Sequence, residues 1–383
     1  MGLSTPQDAV LTVLKRQRPA RLVYAPNYWQ WYVHQRNHGH LPGDIRSCRS
    51  QLELIRQLGL EVFSRNVYCD EQRGWFGGLC DEVWTGVDTR VEETFEGKDR
   101  LLVKTYQTRK GTLTERQRYV FAESTLVQEQ FAVDNLDTQL AALEELVAGR
   151  RWRFVPERYA ASRAAVGKDG VVVAGEVFSP LKLLHLLVGA VNTTFLIMDH
   201  GDQVREILAR HESAQLDLIR QMAAAGVPAI MAMDNLDAAF HTPAYVDRFS
   251  ASFYEKASRL CHEYGSTFFI HACGRQRVNL KRIDALGVDG LEGVAFPPLG
   301  DVTLLEAMQM TRDRFLITGG ISAMETRNLK TRADVFEYTR QLADQMRPFA
   351  HRFMLSASCN TPIDARWETL CDFRDAWREF GTV

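Results

Sequence analysis

Short apolar runs alternate with longer amphipathic stretches along most of this chain, and that rhythm is its most informative pattern. Arg21 to Ala25 (RLVYA) is a brief apolar run that ends at Pro26. From Arg49 to Leu58 the apolar positions Leu52, Ile55 and Leu58 recur at helical spacing, and Gly59 stops that helix. A strand is expected over Leu60 to Val67. After Gly170 the alternation becomes regular. Strands are expected at Val171 to Ala174, Pro228 to Met233, Thr267 to Ala272, Gly290 to Val294, Phe315 to Thr318 and Arg352 to Ser356. Helices are expected between them, at Leu181 to Val188, Gln203 to Ala224, Pro243 to Tyr264, Arg277 to Leu286, Leu304 to Met310, Ala333 to Met346 and Ile363 to Glu379.

Eight strands, each followed by a helix-length segment, predict an α/β fold with a parallel sheet closed into a (β/α)8 barrel. The open, doubly wound alternative lacks support, because no G-x-G-x-x-G follows any strand. Residues 73 to 150 break the rhythm. Val91 to Phe95 and Leu101 to Tyr106 read as extended, Lys110-Gly111 as a turn, and Thr138 to Ala148 as a helix. The expected organisation is one barrel domain over residues 1–383, with an antiparallel, β-rich subdomain inserted at about 73–135 in the amino-terminal half.

Composition narrows the class. The 383 residues carry 46 Lys+Arg against 48 Asp+Glu, a net charge of −2, and no long run of like charge. A nucleic-acid platform would show a basic excess. The most apolar window, Leu181 to Met198, contains Lys182 and His185 and reads as a buried helix rather than a membrane span. Seven widely spaced cysteines and an amino terminus without a long apolar stretch point to a reducing cytoplasm and free thiols.

In a barrel the chemistry sits at the carboxyl ends of the strands. His271 and Cys273 close the strand TFFIHACG, and the period of two points both side chains the same way. Imidazole and thiolate are suited to zinc, although a buried thiol beside a satisfied histidine would look the same. Cys359, in SASCNTP after the last strand, brings a second thiol to the same mouth. Three ligands with a fourth position open describe a catalytic zinc. Cys261 and Cys371 fall within helices and read as packing residues, and Cys48, Cys69 and Cys80 as structural ones. Glu292, Glu176 and Asp234 also end strands. Each could supply a fourth ligand, an acid or base, or a substrate anchor; Asp234 could instead cap a helix. Glu176, Asp234 and Asn235 are the candidate catalytic groups, expected to face the same cavity as His271.

The stretches FIHACG, LKRIDALGVDGLEGVAFPPLGD, FLITGGI and LSASCNTP are together similar to the uroporphyrinogen decarboxylase superfamily. The likeness covers residues 267–362 and, through DNLDAAFHTPAYVDRF, reaches back to about 234; TYQTRKGTL resembles the extended insertion of bacterial members. The resemblance implies a (β/α)8 barrel and one of two chemistries. The decarboxylases carry an Arg-rich, glycine-containing motif after the first strand, whereas this chain has Ala25-Pro26-Asn27-Tyr28-Trp29-Gln30-Trp31-Tyr32, with no arginine until Arg36. The cobalamin-dependent methyltransferases of the superfamily bind zinc through His-x-Cys and a distant Cys. His271, Cys273 and Cys359 match that pattern, with Glu292 as a candidate fourth ligand. The corrinoid-carrier hallmark D-x-H-x-x-G is missing, and Asp199-His200-Gly201 does not fit it. The resemblance therefore implies a corrinoid supplied by a partner protein. Tyr28, Trp29, Trp31 and Tyr32 would form a ring-lined wall for an aromatic or apolar methyl donor, such as a methoxylated phenol, with His241 as a further substrate contact. Packing of those rings is the competing reading.

The leading expectation is thus a zinc-dependent methyltransferase, with O-demethylation favoured. A decarboxylase of the same superfamily and a non-catalytic zinc-binding barrel are the alternatives. The motifs leave the direction of transfer open, and a homodimer is one assembly open to the chain.

Overall fold

The computed structural model describes residues 5–65 and 78–383. The eight expected strands are all present: β1 (Val23–Tyr24), β2 (Val62–Ser64), β3 in two pieces (Gly170–Val172 and Ala174–Val177), β4 (Ala229–Ala232), β5 (Thr267–His271), β6 (Gly290–Val294), β7 (Leu316–Ile321) and β8 (Phe353–Ala357). Residues 66 and 67, the end of the expected second strand, lie outside the described residues, as does Cys69. Every neighbouring ladder is parallel, and β1 pairs with β8 through Tyr24 and Leu355. Between β1 and β2 the ring closes by the Glu61 N–H donating to Tyr24 O (3.2 Å) and the Tyr24 N–H donating to the Glu61 carboxylate (3.0 Å). The architecture is a (β/α)8 barrel.

Strand residues are buried on both faces, as a helix-covered parallel sheet requires, and their alternation fixes what each strand end can reach. Val23, Val171, Val173, Ala229, Met231, Phe269, Leu316 and Met354 fill the barrel interior. Helix Pro6–Leu14 packs Val10, Val13 and Leu14 into this cluster and plugs its amino-terminal end. The intervening residues, among them Val62, Val172, Ala174, Ile230, Ala232, Phe268, Ile270 and Leu291, pack outward with the surrounding helices. Two registers therefore run up to the carboxyl face. The inward one continues through Asn27, Arg65, Gly175, His271, Cys273 and Glu292. The outward one continues through Asp234, while β3 shifts register between Ala174 and Val177, beside Glu176.

The insertion between β2 and β3 is antiparallel, as expected. Asp88–Glu96, Asp99–Thr108, Gly111–Val120 and Thr125–Gln130 form a sheet in sequential order, with a tight turn between Thr108 and Gly111. It reaches further than position 135. After helix Leu136–Gly149, strand Arg150–Phe154 pairs with Cys80–Trp84, a ladder the sequence pattern does not announce. The window Leu181 to Met198 is not one helix. Helix Pro180–Leu187 ends before Gly189 (φ 83°), and Ala190–Ala224 begins a run whose helical geometry breaks at His200. Among the described residues no single helix is long and apolar enough to cross a membrane; these two, bent by 114°, match in length and composition only as a pair.

Candidate metal centre

His271 ends β5 on the inward register, and Cys273 follows two residues later on the same side. Cys359 arrives from the loop after β8. Their ligand atoms all lie within 4.8 Å of one another, and Cys359 Sγ is 3.9 Å from His271 Nε2. A tetrahedral zinc with Zn–N of about 2.0–2.1 Å and Zn–S of about 2.3 Å sets its ligands about 3.6 Å (N to S) and about 3.8 Å (S to S) apart. The three side chains fit such an ion with movements of about 1 Å. One imidazole and two thiols are also the donor set that a borderline-soft divalent ion prefers.

The Cys359 loop is held from β1. The Asn27 side-chain amide donates to Cys359 O (2.9 Å) and to Asn360 Oδ1 (2.9 Å), while the Thr361 hydroxyl and N–H donate to Asn27 O (2.9 and 3.2 Å). On the β8 side, Ser358 N–H donates to Ile321 O (2.9 Å). Gly293 makes room for this packing. Its φ is 94°, and a Cβ there would stand 2.7 Å from Ser358 O and 3.2 Å from His271 Cε1.

Behind the imidazole lies a second layer. His271 Nδ1–H donates to Glu292, whose other oxygen accepts from Arg65 Nη1 at 3.0 Å. Burial works against a charged ring, but the Glu292 carboxylate and the hydrogen bond to Cys359 together outweigh it and raise the His271 pKa to about 9. The Cys359 thiol is held well below its usual range, first by the hydrogen bond from Cys273 and then by His271 against the effect of burial; Cys273 is pushed up. A metal held by these three groups would bind as their protons leave.

Residues 129–380, more than half of the chain, match the family model for uroporphyrinogen decarboxylase (URO-D). The chain belongs to the uroporphyrinogen decarboxylase family. No curated protein sequence matches it significantly. Among solved structures, a methyltransferase from Methanosarcina mazei is similar over 99% of both chains, with 12% identity and a TM-score of 0.61, and shares the barrel fold. D-psicose 3-epimerase from Clostridium cellulolyticum H10 is similar over 60% of this chain and 86% of its own (10% identity, TM-score 0.37). Xylanase XynB from Paenibacillus barcinonensis is similar over 60% and 82% (11%, 0.36).

Within this family member the register separates the candidate residues. Glu176 and Asp234 do stand at strand ends, but neither joins the three ligands: β3 shifts register between Ala174 and Val177, and Asp234 takes the outward register. Glu176 accepts from Leu79 N–H and lines a separate cavity beneath the insertion sheet. Asp234 is fully buried; it accepts from the Tyr254 hydroxyl and from Ser179 N–H, the residue that caps helix Pro180–Leu187. It ties β4 to that helix instead of meeting a substrate. Asn235 is exposed, with a left-handed φ of 48°. Glu292 faces inward but sits on the ring nitrogen opposite the thiols, with both oxygens engaged, so it orients His271 and is not gathered into the triad.

The aromatic wall is also corrected. Tyr28, Trp31 and Tyr32 are buried in the layer between strands and outer helices. Tyr28 bonds the Tyr24 hydroxyl (2.9 Å). Trp31 stacks on Trp367 and donates to Ala365 O (2.8 Å), and Tyr32 donates to Cys48 O (3.0 Å). Trp29 is half-buried against the same cluster. Packing won because helix Trp29–His38 lies against the carboxy-terminal segment through Ile363, Ala365 and Trp367. His241 is buried edge-on to His185 (5.0 Å); burial, then Lys182, pushes its pKa down to about 4. The sequence reading passed over Asn27 and Arg65. Counting by twos from the interior residues Val23 and Phe63 would have found both.

Proposed function

We propose that this protein is a zinc-dependent methyltransferase that moves a methyl group between a small substrate or thiol and a corrinoid carried on a separate protein. The observation that carries the reading is the convergence of one imidazole and two thiols at the carboxyl face of the barrel, in a family where the decarboxylases need neither thiol. A zinc ion held there supplies Lewis acidity, which makes a thiol a better nucleophile or an ether oxygen a better leaving group. Of the chain's own groups, His271, Cys273 and Cys359 would hold the ion. Glu292 keeps the Nδ1 proton and leaves Nε2 to face the thiols, and Asn27 fixes the Cys359 loop. With the rings of Tyr28, Trp31 and Tyr32 committed to packing, they no longer favour a methoxylated aromatic donor over other small methyl donors.

The test is transfer in both directions by the zinc-loaded chain, followed by corrinoid absorbance: methylcobalamin to a panel of thiols, and a panel of methyl donors to cob(I)alamin. Transfer well above that of free zinc supports the reading. No transfer in either direction by a folded, zinc-loaded chain contradicts it.

A further inference from the structure

Arg65 enters from the far side of the barrel. It leaves β2 on the inward register, next after the outward Ser64, and reaches Glu292 on β6 with Nη1 at 3.0 Å from Oε1. Its side chain is 13% exposed and that of Glu292 8%. The stem passes directly over Gly175 of β3. A Cβ at position 175 would stand 2.9 Å from Arg65 Cβ, 3.1 Å from Cδ and 3.5 Å from Cγ, and the first of these cannot swing away as a side-chain tip could. Glycine at 175 keeps that path clear.

We propose that Arg65 is the positioning residue of the metal triad. By holding one oxygen of Glu292 it fixes the other on His271 Nδ1, which sets the ring's tautomer and aims Nε2 at Cys273 and Cys359. The inference rests on the reading that the triad binds zinc. A buried carboxylate left without its cation is costly and rearranges. Partners at this remove from a metal change its affinity about 10–100-fold when they are removed. The Arg65–Glu292 contact is a single N–O bond, which a lysine ammonium could replace, whereas an apolar side chain could not.

The experiment uses the full chain. Zinc affinity is measured by competition with a chromophoric chelator, and the visible spectrum is recorded with Co(II) in place of zinc. Thermal midpoints confirm folding. Arg65→Met should weaken zinc binding about 10–100-fold and shift the Co(II) bands, and Arg65→Lys should recover most of the loss. Gly175→Ala, which keeps the charge and displaces the stem, should fall between wild type and Arg65→Met; it carries the test if Arg65→Met does not fold. Zinc affinity within twofold of wild type and unchanged Co(II) bands in the folded variants overturn the role of Arg65 and leave the zinc reading standing. A wild-type chain that binds no zinc overturns both.

Discussion

Two regions of this molecule bury ionisable groups, and they do so to different ends. At the barrel mouth, His271, Cys273 and Cys359 turn their ligand atoms toward one point, and the nearest carboxylate, Glu292, stands behind the ring. Beneath the insertion sheet, a cavity of about 760 Å³ is lined by Glu82, Lys104, Glu115, Arg150 and Glu176 around Trp84. Lys104 and Glu115 are only 2% and 3% exposed, as buried as His271. Here cations and anions alternate. Glu82 accepts from both Lys104 and Arg150, Tyr106 donates to Glu115, and both cations lie 5.4 Å from the Trp84 ring centre. Burial of charge therefore does not by itself mark chemistry. Donor atoms that converge on one point distinguish the mouth from a network that pairs its charges off.

Substitution in each region should separate chemistry from stability. Cys359→Ser removes a converging donor and should slow methyl transfer by about two to three orders of magnitude (~3–4 kcal/mol in the barrier). The thermal midpoint should hardly move, since the thiol lies in a loop beyond the β8 core. Zinc content and transfer rate, read beside the midpoint, check this; an unfolded variant or an unchanged rate would erase the distinction between the regions. Lys104→Met makes the opposite cut. It strips the half-buried Glu82 of one of its two cations and should cost about 3 kcal/mol of stability in urea denaturation, with zinc content unchanged.

The paired network should also show in acid. Burial opposes a charge on Glu82, but Arg150 and Lys104 outweigh it and hold the carboxyl at about 2, against an ordinary 4.5. A depressed folded pKa contributes stability that is present in full above the ordinary value and lost as pH falls through the folded one. Wild-type stability should therefore decline between pH 4.5 and about 2, and Glu82→Gln should flatten that decline. An equal slope in both would remove Glu82 from the account. The smallest effect is expected in the aromatic layer. Tyr28→Phe loses one buried hydroxyl contact, for about 1 kcal/mol of stability. It should leave the KM for every methyl donor unchanged, whereas a raised KM would return Tyr28 to the mouth.

Much of this was legible in the sequence, for a physical reason. Parallel strands buried on both faces leave short apolar runs that the helices between them punctuate, so all eight were placed. His271 and Cys273 were legible because a period of two needs no structure to apply. The same count, carried up from Ala229, turns Asp234 outward, whereas the register shift in β3 beside Glu176 is something no count by twos shows. Tyr28, Trp31 and Tyr32 misled because an aromatic-rich helix can bury its rings on either side, and only tertiary packing against Trp367 and Ala365 decides. Arg65 and Asn27 bond residues hundreds of positions away in the chain, a relation that local spacing does not carry.

The central claim, that the converging donors at the mouth hold zinc, is tested most directly by X-ray absorption at the zinc edge on the full chain purified without chelator. The account predicts about one zinc per chain, two sulfur ligands at about 2.3 Å and nitrogen or oxygen ligands at about 2.0–2.1 Å, with one sulfur lost in Cys359→Ser. A chain without zinc, or a zinc surrounded only by nitrogen and oxygen, would contradict it.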